Sequence, residues 1–208
     1  DEYSTGIRKQ FLASLDKSIT VVEASFSGET VASFASQIAT LKDCKFIFMP
    51  IYYTPASQFM TEAKNDVAAD AVYYGCDGLD GIDTAVKGFD ISTIPQEVSF
   101  LSHFNSKSTE GASGEFIKKY TEKYGSDSLS QFGAAAYDCV YAIYYAMKEA
   151  GDKISVTSSA SDICNALKDV FNGGFTYSGV TGTNIKWTSE GFVSKSALKY
   201  IVKESDAK

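Results

Sequence analysis

Among 208 residues the chain has one histidine, one tryptophan, three prolines and four cysteines, and each scarcity removes a class of chemistry. With a single imidazole, His103 would have to carry any histidine chemistry alone, and at the end of an expected strand it reads as a hydrogen-bonded structural group. No H-E-x-x-H, G-x-S-x-G, G-x-G-x-x-G or G-x-x-x-x-G-K-[ST] pattern occurs, so the zinc, hydrolase-elbow, dinucleotide and phosphate-loop signatures all fail. Cys44, Cys76, Cys139 and Cys164 are too few and too scattered for a disulfide framework, and no C-x-x-C spacing points to zinc or redox chemistry. They read as free thiols, with Cys139 and Cys164, on successive helices, the one pair worth checking. No cofactor, metal ligand or catalytic residue is therefore expected. Positive charge is also short: 19 Lys and Arg against 26 Asp and Glu leave a net charge of -7, and Lys9, Lys17, Lys118, Lys119 and Lys123 are scattered among acids. A nucleic-acid footprint needs clustered cations, so no nucleic-acid partner is expected. No apolar run approaches the length of a membrane-crossing helix. The chain opens Asp1-Glu2-Tyr3 without a basic or apolar leader, so any export signal is expected to have been removed or to lie outside these residues.

What is present is a hydrophobic content of 44%, enough to bury one large core or two small ones. The organising stretch is Ala68 to Gly81, where the short apolar run Ala71 to Tyr74 ends abruptly in Gly75-Cys76-Asp77-Gly78-Leu79-Asp80-Gly81. The run reads as a buried strand and the two Asp-Gly steps as a turn. In an open α/β sheet, ligands bind at the carboxyl ends of the strands, which makes Asp77 the first candidate for a ligand contact.

Around that edge the chain alternates. Ile7, Phe11, Leu12, Leu15 and Ile19 mark a helix, with Ser4 and Thr5 as candidate N-caps. Ile19 to Phe26, rich in β-branched residues, predicts a strand. Val31, Phe34, Ile38 and Leu41 mark a second helix, and Lys45 to Met49 a continuously apolar strand of the parallel-sheet kind. A helix with Thr54 as N-cap and Pro55 at its first position runs to about Asn65. Such alternation predicts a parallel sheet whose strand ends share one edge, so Tyr52 and Tyr53 are expected beside Asp77, with Tyr3 on the same edge. Tyr3 also reads as a helix-entry staple, Asp77 and Asp80 as plain turn residues, and one of Tyr52 and Tyr53 must pack if the chain is extended there. A carboxylate among tyrosines at a dry crevice complements an ammonium group.

After Phe104 a Ser, Lys and Gly-rich loop leads into three helices, marked by Phe116 to Tyr124, Phe132 to Met147 and Ala160 to Phe171. The second is apolar over most of its circumference and needs cover on more than one side. Asn184 to Trp187 and Ser194 to Val202 read as a hairpin around Glu190-Gly191.

The segments Tyr3-Ser4-Thr5-Gly6, Phe48-Met49-Pro50-Ile51-Tyr52-Tyr53-Thr54, Tyr74-Gly75-Cys76-Asp77-Gly78, Lys123-Tyr124-Gly125, Ala136-Tyr137-Asp138-Cys139-Val140-Tyr141-Ala142 and Gly179-Val180-Thr181-Gly182 resemble, in order and over essentially the whole chain, the branched-chain amino-acid type of substrate-binding proteins of ABC transporters. The resemblance implies a type I periplasmic-binding protein fold of the α/β class, with a parallel sheet flanked by helices in the second lobe. It implies no catalysis, an extracytoplasmic location, periplasmic or as a cell-surface lipoprotein, a small-molecule ligand such as an amino acid held between lobes, and delivery to the membrane subunits of an ABC permease. It places ligand-binding tyrosines at Tyr3 and Tyr52 and the acid that holds an α-ammonium at Asp77, with Tyr53 and Asp80 as further candidates. Asp77 is shorter than the glutamate of some relatives, and Ile51 stands where glycine is common. The resemblance further assigns residues 1–101 with 184–208 to the second lobe and 102–183 to first-lobe helices, the first-lobe sheet being absent from this chain and open to supply by a second chain. A ligand-sensing regulatory domain of the same fold and a doubly wound hydrolase or amidase are the alternative readings.

Overall fold

The computed structural model describes residues 1–28, 30–126 and 128–204. The chain resolves into two compact units, Asp1–Ser102 with Lys199–Lys208, and His103–Leu198. The last four residues of the expected span 184–208 lie outside the described residues.

The first unit begins with helix α1 (Glu2–Ser14), capped by Asp1, whose Oδ1 accepts the Ser4 N–H at 2.7 Å. Ser4 and Thr5 are therefore not the caps. They lie inside the first turn, because the helix starts before its apolar repeat becomes visible. Helix α2 (Ala35–Leu41), strand β1 (Phe46–Met49), helix α3 (Tyr53–Ala63), strand β2 (Val72–Gly75) and strand β3 (Glu97–Ser102) follow. β1 and β2 run parallel in the register Phe46↔Val72 to Met49↔Gly75, and β2 and β3 run parallel from Val72↔Glu97 to Gly75↔Phe100. Strand β6 (Leu198–Lys203) completes the sheet, in the order β1-β2-β3-β6.

The sheet is covered by Phe34, Ile38, Phe59, Met60, Leu79 and Ile94, which share one core with Ile47, Met49, Tyr73 and Val98. Tyr73 is completely buried, and its hydroxyl makes no hydrogen bond. Ile19 to Phe26 forms no strand. Ile19, Val21 and Val22 are exposed there, because β-branched composition suits a pleated surface but needs a neighbouring strand to pair with. This segment, α1 and β1, the edge strand of the sheet, line a groove of about 890 Å³.

The second unit carries helices α4 (Gly111–Tyr124), α5 (Gln131–Ala150) and α6 (Ala160–Asn172). α6 opens with a reciprocal capping box between Ser159 and Asp162. Strand β4 (Lys186–Trp187) pairs antiparallel with β5 (Val193–Ser194), and Tyr177 bridges Ile185. The expected hairpin thus has a short second arm; the rest of that arm is β6, which belongs to the main sheet. The small residues Ala134, Ala142, Ala146 and Ala150 form the buried stripe of α5. Phe132, Tyr137, Val140, Tyr141, Ile143, Tyr144, Tyr145 and Met147 cover the rest of its surface and are exposed, Val140 by 66%.

Candidate functional site

The site grows from two parallel strands that end side by side. At its carboxyl end β1 passes through Pro50 and Ile51 to Tyr52, which stands in extended conformation as the N-cap of α3. β2 ends at Gly75 and breaks into a 3-10 turn, Asp77–Leu79. Leu79, wholly buried, pins that turn: a Cβ on Gly75 would lie 2.2 Å from its Cδ1, so only glycine lets the leucine settle back onto the strand. With Leu79 inward, Asp77 sits half-buried at the start of the turn.

Asp77 meets Tyr3 there. The Tyr3 hydroxyl donates to Asp77 Oδ1 at 2.7 Å and accepts the Gly78 N–H at 2.8 Å. The Tyr3 ring stacks on Tyr52, centroids 4.8 Å apart and planes inclined by 27°. Three of the five expected residues, from three separate stretches of sequence, thus form one cluster. Tyr53 and Asp80 occupy different positions. The Tyr53 side chain packs against the core of the first unit. Asp80 closes the 3-10 turn through its backbone N–H to the Asp77 carbonyl at 3.0 Å and is half-buried.

The electrostatics favour a neutral phenol beside an acid. Burial first, then the hydrogen bond and charge of Asp77, push the Tyr3 hydroxyl well above its ordinary value, so it stays protonated and donating at physiological pH. The neighbouring Cys76 thiol is pushed up to about 11, by burial and then by the Asp77 charge, which makes it a poor nucleophile. Cys44, Cys139 and Cys164 are free thiols as well, so Cys139 and Cys164 do not pair. Among the described residues no cluster of three or more metal-ligating side chains occurs. His103 is engaged by the Ser196 carbonyl, 3.0 Å from its Nδ1. Among the described residues no helix is long and apolar enough to cross a membrane.

One constellation was not anticipated. In the second unit the Asp138 carboxylate, 5% exposed, collects the Val180 N–H (2.8 Å) and the Tyr177 hydroxyl (3.1 Å) on Oδ1, and the Thr181 N–H and hydroxyl (both 2.7 Å) on Oδ2. Gly179 is tight against it: a Cβ there would lie 2.2 Å from Asp138 Oδ1. The sequence carried a signal for this, since Asp138 falls at four-residue spacing between Ala134 and Ala142 on the small-residue stripe, where a carboxylate must be buried.

No family model matches the chain, and no curated protein matches it. Solved structures do. A leucine-binding protein, LivK, of Thermotoga maritima superposes with a TM-score of 0.77 at 19% identity, covering 98% of this chain and 55% of that one. LivJ of Streptococcus pneumoniae, a branched-chain amino acid transporter substrate-binding protein in complex with isoleucine, gives 0.66 at 21% identity, over 97% and 57%. A solute-binding protein from R. palustris in complex with benzoate gives 0.68 at 14% identity, over 96% and 51%. The chain thus has the type I periplasmic-binding protein fold and spans about half the length of these solved structures.

Proposed function

We propose that the chain is part of a solute-binding receptor that captures an ammonium-bearing small molecule, an amino acid foremost, outside the cytoplasm and hands it to the membrane subunits of an ABC permease. The observation that carries this reading is the Asp77 carboxylate held by Tyr3 beside the Tyr3–Tyr52 stack, at the carboxyl ends of parallel strands. A fixed carboxylate pairs with an ammonium by charge-assisted hydrogen bonds, and a phenol face accommodates apolar atoms or the cation. The same carboxylate would repel an anion such as benzoate, so of the ligands in similar structures the amino acids fit this wall better.

Residues 1–101 with 184–208 are proposed as second-lobe sequence of such a receptor and 102–183 as first-lobe sequence, with 184–198 packing in the same compact unit as the three helices. Tyr3, Tyr52 and Asp77 form the second-lobe wall, Tyr53 supports it by packing and Asp80 by closing the turn. A first-lobe sheet from the remainder of the receptor, or from a second chain, would cover the exposed apolar side of α5. Binding without turnover fits the absence of hydrolase motifs in the sequence and the engaged His103. The protein would work in the periplasm or as a lipoprotein on the cell surface.

The test is calorimetry of the full polypeptide that carries this chain against L-leucine, L-isoleucine and L-valine, with benzoate as the anionic control. Binding of an amino acid is expected, with Asp77→Ala weakening it about 10- to 100-fold, the worth of a hydrogen bond to a charged group. Equal binding by wild type and variant would overturn the assignment of Asp77.

A further inference from the structure

We propose that Tyr3 serves this site as a positioning residue: its hydroxyl fixes the Asp77 carboxylate instead of touching the ligand, and Gly78 is the residue that makes that grip sterically feasible. The proposal rests on the receptor reading for its ligand measurements and on geometry for the rest.

The hydrogen-bonding capacity of the phenol is already committed. A tyrosine hydroxyl has one proton to donate, and Tyr3 donates it to Asp77 Oδ1, while the phenol oxygen itself accepts the Gly78 N–H. A ligand carboxylate would find no donor on Tyr3, and a ligand ammonium would have to displace a backbone N–H from it. Asp77 has only two side-chain torsions, so the 2.7 Å bond to Oδ1 narrows the rotamers open to its carboxylate. The ring is held in turn by its stack on Tyr52 and by the first turn of α1, which Asp1 caps.

Gly78 closes the arrangement. A Cβ at this position would lie 2.8 Å from the Tyr3 hydroxyl oxygen and 2.8 Å from the Ile51 carbonyl oxygen. The second of these is backbone leaving β1, so a side chain at 78 would push the phenol away from Asp77. Nothing about the φ of Gly78 demands glycine; the demand comes from the closeness of these two oxygens.

A positioning role and a contacting role differ in what Tyr3→Phe does. Phenylalanine keeps the ring stack and removes only the hydroxyl. The positioning role expects the χ1 coupling constants of Asp77, measured by NMR without ligand, to change from those of one rotamer to an average. It expects affinity for L-leucine, L-isoleucine and L-valine to fall about tenfold alike, with their order kept. It also expects the Tyr3 phenol, followed by its ring-carbon signal, to ionise at lower pH in Asp77→Asn than in wild type. Gly78→Ala should reproduce the Asp77 averaging by displacing the Tyr3 hydroxyl without removing it.

Unchanged Asp77 couplings in Tyr3→Phe would overturn the proposal, and so would a reordering of the three amino acids, which would show that the hydroxyl meets the ligand. Should the wild type bind no amino acid at all, the receptor reading fails, and the couplings and the phenol titration still decide the grip.

Discussion

Replacing Asp138 by alanine removes the acceptor of four hydrogen bonds in the second unit: two backbone N–H groups, at 2.8 and 2.7 Å, and two hydroxyls. The hydroxyls of Tyr177 and Thr181 can turn toward other partners, but the Val180 and Thr181 N–H groups are fixed by their chain. Each hydrogen bond to a charged group is worth about 1.5–3 kcal/mol, and the two N–H groups alone put the loss at about 3–6 kcal/mol. Against a total stability of about 5–15 kcal/mol that is a fifth or more of what holds a unit folded.

The assay is built in. The single tryptophan, Trp187, stacks on Phe175 at 5.8 Å and lies edge-on to Phe171 at 4.7 Å, so its fluorescence reports the second unit directly. With a urea slope of about 2 kcal/mol/M, the midpoint of the Trp187 transition should fall by about 2 M in Asp138→Ala. Asp138→Asn keeps one acceptor oxygen and should lose about half as much. A shift worth less than about 0.5 kcal/mol, the size of an ordinary surface substitution, would refute the inference that this carboxylate organises the 177–182 loop.

Two further outcomes follow from the first unit. Tyr73→Phe should leave stability unchanged or raise it by up to about 1 kcal/mol, because it removes a buried hydroxyl without a hydrogen bond, and a thermal melt reads the sign. Glu62 accepts hydrogen bonds from Gln58, the Phe34 N–H and Ser33, and these, Gln58 foremost, hold its carboxyl below the ordinary glutamate value. The folded state therefore releases this proton more readily than the unfolded one. The stabilisation is present above the ordinary value and is lost as pH falls through the lower, folded one, so melting temperatures between pH 6 and 3 should drop less steeply in Glu62→Gln.

Local chemistry made the parallel strands legible. Phe46–Met49 and Val72–Gly75 are short apolar runs ended by turn residues, and the alternation with α3 leaves few other ways to arrange them. The placing of Asp77 beside Tyr3 and Tyr52 also follows from topology, since all three lie where strands end or a helix begins. The hydrogen bond between residues 3 and 77 does not follow, because it depends on the depth of Leu79 and on the room beside Gly78, and no periodicity encodes either. Val21 and Val22 mislead because propensity describes a residue's fit to a sheet and is silent about whether a neighbouring strand exists. The Asp138 grip is intermediate: its burial could be read from the alanine spacing, but not its partners around residue 180.

Asp1 lends the site an unexpected lever. Because its carboxylate anchors the turn that carries Tyr3, neutralising it would fray that turn, let the phenol swing, and slacken a side chain at position 77 that had not itself been altered.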